Sequence, residues 1–342
     1  MSTPTRRTLL DTFTAQQTQA FGLIPNSLAL ASADASFRQY FRIQAQLNSV
    51  STSYIVMDAP PATEDCRPFV KVAALLGNAG LNVPTVLAQD LQNGFLLLKD
   101  LGNTTYLAAL QQGSDHRPLY ADAISALVQL QSGQPASALP AYDADKLMLE
   151  MGLFETWFLN THHGLMLTGR ERTLLGVALK LISDACTRQS QVWVHRDYHC
   201  RNLMLTRTAN PGVLDFQDAV TGPYTYDLAS LLRDAYIDWP EEAQIELALD
   251  YWKKAQAAGI AVPTDFGELW RDFEWMGLQR HLKVLGIFAR LSHRDGKDGY
   301  LNDLPLVLQY AQRVAQRYDG LGILVRLFDR VLGVERRAGV TF

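Results

Sequence analysis

Three oxygen-bearing side chains within residues 192–218 have the types and the spacing that phosphoryl transfer requires. Asp197 ends the triplet His195-Arg196-Asp197, Asn202 follows it by five residues, and Asp215 lies thirteen residues further along. In such chemistry one carboxylate receives the proton of an acceptor hydroxyl, while a carboxylate and an amide oxygen hold magnesium on the nucleotide phosphates. The segment therefore predicts a phosphoryl-transfer site built from these three side chains.

A short β-hairpin is the element that must position them. The apolar run Leu203-Met204-Leu205 is followed by the turn signal Asn210-Pro211-Gly212 and by a second apolar run that ends at Asp215. A hairpin at this place returns Asp215 to the neighbourhood of Asp197 and Asn202. The spacing therefore predicts that the three side chains converge on polar loop backbone.

The composition limits the class of partner. A formal net charge of −4 provides no basic footprint for nucleic acid, which is bound through many Lys and Arg contacts to phosphate. No run of about 18 uninterrupted apolar residues occurs, so we expect no membrane span. The three cysteines, Cys66, Cys186 and Cys200, are scattered and lack metal-ligand spacing, which favours a reducing compartment. We therefore expect a cytoplasmic protein.

The periodicity of the sequence changes near residue 100. Before it, helical periodicity is confined to residues 8–20 and 64–79, and the other apolar runs are typical of strands. After it, helical periodicity covers residues 104–112, 117–131, 143–160, 170–188, 226–236, 241–258, 266–292 and 303–333, and residues 203–216 form the one β-like interruption. The pattern predicts an α+β protein with two lobes, a β-rich lobe at 1–99 and a helical lobe at 100–342.

Residues 193–218 resemble the catalytic and metal loops of the protein-kinase-like superfamily, and they are most similar to its aminoglycoside-phosphotransferase branch. In that branch the catalytic loop continues with His or a small residue, as it does here with His199 and Cys200 after Asp197 and Tyr198. The metal aspartate is followed by a variable residue in place of an invariant Gly, which is Gln217 here. The run Tyr226-Asp227-Leu228-Ala229 matches a further element of the branch. A His-x-Asp triplet alone is most often structural, but this combination is specific.

The resemblance implies a role for each matching residue. Asp197 is expected to orient and deprotonate the acceptor hydroxyl, and His195 to brace the catalytic loop. Asn202 and Asp215 are expected to bind Mg²⁺, with ATP as the phosphoryl donor. Asp227 is expected to support the catalytic loop from the start of a helix, where it also suits an N-cap.

The nucleotide side departs from the family pattern. Residues 32–37 contain no glycine for a phosphate loop, and Met57 or a neighbour stands where the phosphate-pairing Lys is expected. Either Arg38 or Arg42 replaces that Lys, or magnesium and backbone donors suffice; Glu64 is the candidate for the helix glutamate. The residues expected to bind the nucleotide are Ser36, Phe37, Arg38, Arg42, Lys99, Asp100 and Leu101.

The acceptor must be inferred from the helical part. At about 100° per residue, Arg280, Lys283, Arg290 and Arg294 fall within a sector of roughly 80°. This basic stripe is either a solvated face or a lining for an anionic acceptor. It argues against polycationic aminoglycosides, which require carboxylates. The residues expected to contact the acceptor are His199, Asp218, Arg280 and Lys283.

Taken over nearly the whole chain, the sequence resembles the anomeric amino-sugar kinases of bacterial cell-wall recycling. The resemblance implies an enzyme that uses MgATP to phosphorylate the C1 hydroxyl of N-acetylmuramate and N-acetylglucosamine, and we expect it to be a monomer. Two alternatives stay open. One is a kinase of the same fold with another acceptor, such as an aminoglycoside, choline or another sugar. The other is a catalytically silent nucleotide-binding protein, for which the missing Lys is the main argument.

Overall fold

The structure is a computed structural model that describes residues 5–33, 37–133 and 136–334. Ser36, expected to bind the nucleotide, lies outside the described residues. The predicted α+β class is confirmed, because a β-sheet precedes a helical majority. The chain forms two compact units, one of Met1–Ser114 with Arg201–Asp218 and the other of Asp115–Cys200 with Ala219–Phe342. The predicted division at residue 99 differs from this grouping, which adds residues 100–114 and 201–218 to the first unit.

The first unit contains a five-stranded antiparallel sheet. Its strands are β1 (Ala29–Ala33), β2 (Gln39–Leu47), β3 (Val50–Asp58), β4 (Val86–Asp90) and β5 (Phe95–Lys99), in the order β1-β2-β3-β5-β4. Asn48 and Ser49 join β2 to β3 with φ values of 50° and 65°. Two consecutive positive φ angles are typical of the tight hairpin turn whose twist matches that of the strands.

A helix, α1 (Arg6–Phe21), covers one face of this sheet. Thr5 caps its start through a bond from the Thr8 N–H. Its apolar residues form a core with the sheet, made of Leu10, Phe13, Leu23, Ile43, Ala45, Val56, Phe95 and Leu97. Arg6 pairs with Asp58 on β3 and lies 4.0 Å over the ring of Phe95, which ties the helix to the middle of the sheet.

The rest of the first unit consists of α2 (Cys66–Asn78), α3 (Tyr106–Gln111) and a hairpin of β7 (Leu203–Met204) and β8 (Gly212–Val213). The predicted amphipathic face of α2 is buried, and Phe69 packs against Phe216 with 4.8 Å between the ring centroids. The predicted hairpin is present, with Leu203 opposite Val213.

The second unit is mainly helical. Its helices are α4 (His116–Gln131), α5 (Ala144–Leu153), α6 (Gly169–Thr187), α7 (Tyr226–Leu232), α8 (Glu241–Ala257), α9 (Phe266–Asp295), α10 (Leu304–Arg317) and α11 (Gly322–Leu332). A wider helical turn, Phe154–His162, continues α5. The 30-residue α9 packs against α5, α6, α7 and α10 and supplies much of the core of this unit.

Two strands of the second unit were not expected from the sequence. β6 (Gln191–Val194) pairs antiparallel with β9 (Val220–Pro223), and β6 ends directly before His195. Each strand has four residues, and β9 contains Gly and Pro, so neither has a readable strand period. The helical run at 303–333 is also divided, since Gly320 adopts a φ of 87° between α10 and α11.

No helix in the described part of the chain is long and apolar enough to cross a membrane.

Candidate active site

The predicted catalytic loop begins with a residue, Arg196, that has an unusual backbone conformation. Arg196 has a φ of 80°, which costs a non-glycine residue about 1–3 kcal/mol. The buried carboxylate of Asp227 accepts the N–H of His195 at 2.6 Å and that of Arg196 at 2.9 Å. The ring Nδ1 of His195 accepts the N–H of Asp197 at 3.2 Å. These bonds offset the strain and set the direction in which Asp197 leaves the backbone.

Asp197 carries a negative charge at neutral pH. Its side chain is 42% exposed, and its Oδ1 lies 3.9 Å from Nη1 of Arg280. Partial burial favours the neutral acid, but the positive charges of Lys283 and Arg280 outweigh this effect and lower the pKa of Asp197 to about 2. A carboxylate of this pKa is a weak base and a good acceptor of a hydroxyl hydrogen bond.

The pKa of Asp227 is displaced in the opposite direction, upwards. Its side chain is fully buried, and that burial raises its pKa to about 6 despite the nearby His195 and the two backbone N–H donors. Two carboxylates of the second unit therefore have pKa values displaced in opposite directions. The exposed one, Asp197, is suited to contact with a substrate, and the buried one to support of the loop.

Glu150 on α5 is the centre of a cluster that surrounds the catalytic loop. It accepts Nη2 of Arg196 at 2.6 Å, forms an ion pair with Nζ of Lys283 at 3.2 Å, and binds the hydroxyl of Tyr142. Lys283 also donates to the hydroxyl of Tyr226 at 3.0 Å. Lys283 is buried, and its Nζ contacts both Glu150 and Tyr226.

The basic stripe on α9 does not have one uniform environment. Arg280 and Lys283 are buried, Arg290 is half-buried, and Arg294 is exposed and pairs with Asp295 at 2.7 Å. Arg280 donates from Nη1 to the carbonyl oxygen of Arg196 at 2.9 Å. Arg280 and Lys283, two of the four residues expected to contact the acceptor, are therefore part of the packing around the predicted catalytic loop.

His199, also expected to contact the acceptor, is buried beside Asp197. Its N–H donates to the carbonyl of Asp197 at 3.1 Å, and its ring lies 5.3 Å from that of Tyr236. The carboxylate of Asp234 accepts the N–H groups of Tyr236 at 2.8 Å and Ile237 at 2.9 Å, which fixes the loop after α7. Tyr236 is half-buried and was not expected from the sequence.

In the first unit, the hairpin brings Asn202 and Asp215 together. The amide Nδ2 of Asn202 lies 3.4 Å from Oδ2 of Asp215, and the backbone carbonyl of Asn202 accepts the N–H of Leu214 at 2.9 Å. Gln217 donates to Oδ1 of Asp215 at 2.8 Å. Asp215 itself has a φ of 61°. Asp218 is exposed.

The donor set at this place fits magnesium. Carboxylate and amide oxygens are hard ligands, and Mg²⁺ in nucleotide sites takes only one or two of them from the protein. The carboxylate of Asp215 is now bound by the N–H groups of Asn202 and Gln217, so rotation of the Asn202 amide would turn its oxygen towards the same place. Asn202 and Asp215 are therefore the residues that would hold the ion.

The two candidate replacements for the missing Lys have different partners. Arg38 forms an ion pair with Glu64, with Nη2 2.9 Å from Oε2. Arg42 is bound by Asp100 through Nε at 2.6 Å and Nη2 at 3.0 Å. Ser53 also donates to Asp100 at 2.6 Å. The guanidinium of Arg42 is thus held at the end of β5.

The remaining residues expected at the nucleotide have simple environments. Phe37 is 69% exposed and Leu101 is 8% exposed. The side chain of Lys99 is exposed, while its backbone N–H donates to the carbonyl of Thr85 at 3.0 Å. Lys99 also lines a cavity of about 780 Å³ between α2 and β4, and this cavity does not include Asn202 or Asp215.

A family model described as the phosphotransferase enzyme family, APH, matches residues 27–268, which include Asp197, Asn202 and Asp215. The chain belongs to this family. The predicted phosphotransferase activity with a hydroxyl group as acceptor is thereby confirmed at the level of the enzyme class.

Three relatives of this phosphotransferase are named N-acetylmuramate/N-acetylglucosamine kinase. The one from Pseudomonas aeruginosa is 49% identical over 304 residues, which is 89% of this chain and 88% of the relative. The one from Neisseria meningitidis is 47% identical over 92% of this chain and 94% of the relative. A third, from Caulobacter vibrioides, is 30% identical over 89% of this chain and 92% of the relative.

Solved structures agree on the fold of the phosphotransferase. The ADP-bound aminoglycoside phosphotransferase APH(2'')-Ib has a TM-score of 0.56 at 16% identity, over 87% of this chain and 97% of that one. The choline kinase from Cryptosporidium parvum Iowa II has a TM-score of 0.61 at 10% identity, over 93% of this chain and 99% of that one. At such identities the likeness establishes a common fold, which confirms the predicted protein-kinase-like class.

Three residues around the site of the phosphotransferase were missed by sequence reasoning. Tyr226 could have been found, because it belongs to the run that matches the family and directly precedes Asp227. Glu150 and Tyr236 have no such signal. Glu150 lies between the buried Leu147 and Met151 on an ordinary helix, and only its contacts reveal its part in the site.

Proposed function

We propose that this protein is an ATP- and Mg²⁺-dependent kinase that phosphorylates the C1 hydroxyl of N-acetylmuramate and N-acetylglucosamine. The observation that carries the proposal is the 49% identity, over nearly the full length of both chains, to the Pseudomonas aeruginosa kinase named for these two sugars. A match of this extent includes the helices of the second unit, where small-molecule kinases differ most, as well as the generic loops.

Asp197 is the residue that receives the acceptor. Its ionised carboxylate accepts a hydrogen bond from the sugar hydroxyl and points the oxygen at the γ-phosphorus. Because its pKa is about 2, it takes the proton late, when bond formation has made the hydroxyl acidic. Most of its contribution is therefore orientation, as expected for a loose phosphoryl-transfer transition state.

Asn202 and Asp215 would hold magnesium, which when bound would neutralise charge on the nucleotide phosphates. Among residues 5–33, 37–133 and 136–334, no group of three His, Cys, Asp or Glu side chains could hold a metal ion. A site with only two protein ligands suits an ion that also binds phosphate oxygens and water. ATP is thus part of the metal site in this proposal.

Arg38 is proposed as the cation that replaces the missing Lys. It precedes β2 by one residue and is paired with Glu64, in front of α2. Arg42 is less suited, because two of its nitrogens are bound by Asp100 and its Nη2 also donates to the carbonyl of Gly102. Phe37, Lys99, Asp100 and Leu101 remain proposed nucleotide contacts.

The biological setting follows from the proposed product. A sugar 1-phosphate is the substrate of a nucleotidyltransferase, so the enzyme would return cell-wall amino sugars to UDP-sugar pools. We propose a monomer in the cytoplasm, where ATP is available and where the three buried cysteines stay reduced.

The test is a kinase assay with γ-labelled ATP and four acceptors: N-acetylmuramate, N-acetylglucosamine, choline and an aminoglycoside. Label is expected on the two sugars, and a ³¹P spectrum of the products is expected to have an anomeric phosphate that couples to H1. Label found only on choline, or only on the aminoglycoside, would contradict the two sugars as acceptors and identify that compound as the acceptor. ATP binding without transfer to any of a wider panel of hydroxyl compounds would favour the silent nucleotide-binding alternative.

A further inference from the structure

The backbone of Arg196 is held on both sides by buried charged side chains from two helices. On one side, Asp227 at the start of α7 accepts its N–H at 2.9 Å. On the other side, Arg280 in the middle of α9 donates to its carbonyl oxygen at 2.9 Å. The residue between these bonds has a φ of 80°, a conformation that persists only where its surroundings impose it.

The guanidinium of Arg280 is itself held in place. Arg280 is 6% exposed, and its guanidinium carbon lies 5.5 Å from the ring centroid of Tyr226. The hydroxyl of that tyrosine lies 3.5 Å from Nη1 of Arg280 and accepts Nζ of Lys283 at 3.0 Å. Tyr226 directly precedes Asp227. The residue that supports Arg280 and the residue that accepts the Arg196 N–H are therefore neighbours on one helix.

Asp197 directly follows Arg196 in the chain. A rotation of the peptide group between Arg196 and Asp197 would change the direction of the Asp197 side chain. Asp227 bonds only the N–H of Arg196, so this peptide group is held by Arg280 at its carbonyl and by His195 Nδ1 at its N–H, at 3.2 Å. We infer that Arg280 is a positioning residue, which fixes the orientation of Asp197 by binding the Arg196 carbonyl. This inference rests on the proposed function and differs from the hypothesis that Arg280 binds the carboxylate of the acceptor.

The experiment compares Arg280→Met, Arg280→Lys and a control, Arg271→Met, on the same helix. Arg271 is exposed, so its variant is expected to match the wild type. Arg280→Met should lower kcat by about 10- to 100-fold with both sugars and leave both KM values unchanged, because a misplaced catalytic group slows every acceptor equally. Arg280→Lys keeps one donor and should have an intermediate kcat.

A second measurement does not depend on activity. Hydrogen exchange in the peptide at 193–199, measured without substrate, should be faster in both Arg280 variants than in the wild type and in Arg271→Met. If Arg280→Met does not fold, Arg280→Lys decides through the same measurement. If the wild type phosphorylates neither sugar, the proposed function fails, while the exchange data still test whether Arg280 holds the loop.

Three results would overturn the inference. A wild-type kcat in folded Arg280→Met would remove the positioning role. A KM that rises for N-acetylmuramate alone would instead support carboxylate recognition. Unchanged exchange at 193–199 in a folded Arg280 variant would mean that Asp227 and His195 hold the loop without Arg280.

Discussion

Arg38 and Glu64 form an ion pair whose side chains are 12% and 13% exposed. Arg38 also interacts with Tyr40, which lies directly opposite Met57 in the β2–β3 ladder and therefore on the same face of the sheet. Met57 is the position where the family pattern leads one to expect Lys. Arg38, near the start of β2, is therefore our proposed counterpart of the cation missing from β3, and its partner Glu64 lies just before α2 and not on the helix.

Replacing Arg38 should weaken the use of ATP. We expect Arg38→Met to lower kcat/KM for ATP by about 10- to 100-fold, since a charged hydrogen bond to phosphate contributes about 1.5–3 kcal/mol. Steady-state kinetics with ATP varied at saturating sugar would measure this. Arg67→Met is the matched control, because Arg67 is exposed and pairs only with the nearby Asp65. Equal kinetics in the two variants would assign the phosphate cation to another residue.

Replacing Asp197 should affect the chemical step without unfolding the protein. Asp197→Asn keeps the size of the side chain but loses the charge, and we expect kcat to fall by about 10²–10⁴-fold. Asp184→Asn, at a partly exposed position on α6 paired with Lys180, should keep wild-type kcat. Single-turnover rates would separate this loss from product release. Full activity of Asp197→Asn would exclude the proposed role.

Replacing Asp215 should abolish turnover that depends on magnesium. In Asp215→Ala only Asn202 remains of the two proposed protein ligands, and the charge that attracts the ion is lost. A magnesium titration of activity, with magnesium-dependent ATP binding measured by calorimetry, would test this. An unchanged magnesium dependence would show that Asp215 is not a ligand.

The buried Asp227 predicts a specific dependence of stability on pH. Its pKa is raised from 3.8 to about 6, so the folded protein binds this proton more tightly than the unfolded chain does. The resulting stabilisation is complete below the unfolded pKa and is lost as the pH rises through about 6. The loss for this single group amounts to about 3 kcal/mol.

This dependence can be isolated with Asp227→Asn, which has no proton to lose. Free energies of unfolding from denaturant titrations would be compared between pH 4 and pH 7. Relative to the variant, the wild type should lose stability as the pH rises, whatever constant offset the lost hydrogen bonds add. Parallel curves would mean that Asp227 titrates near its ordinary pKa in the folded protein.

The identity and proximity of Asn202 and Asp215 could be read from the chain because their connection is local. A turn signal between two short apolar runs predicts a hairpin, and this hairpin pairs Leu203 with Val213, ten positions further along the chain. The face of α2 was equally readable, since a helix repeats its contacts every three or four residues. The family loops around Asp197 are likewise continuous in sequence.

The partners of the charged residues were decided only by tertiary structure. Arg38 and Glu64 are 26 residues apart, Arg42 and Asp100 are 58 apart, and Arg196 and Glu150 are 46 apart. No local period records which of several Arg residues meets which carboxylate. The sequence alone therefore predicted the chemistry proposed for Asp197, Asn202 and Asp215, whereas folding decided that Arg280, expected on a substrate surface, binds the backbone beside Asp197.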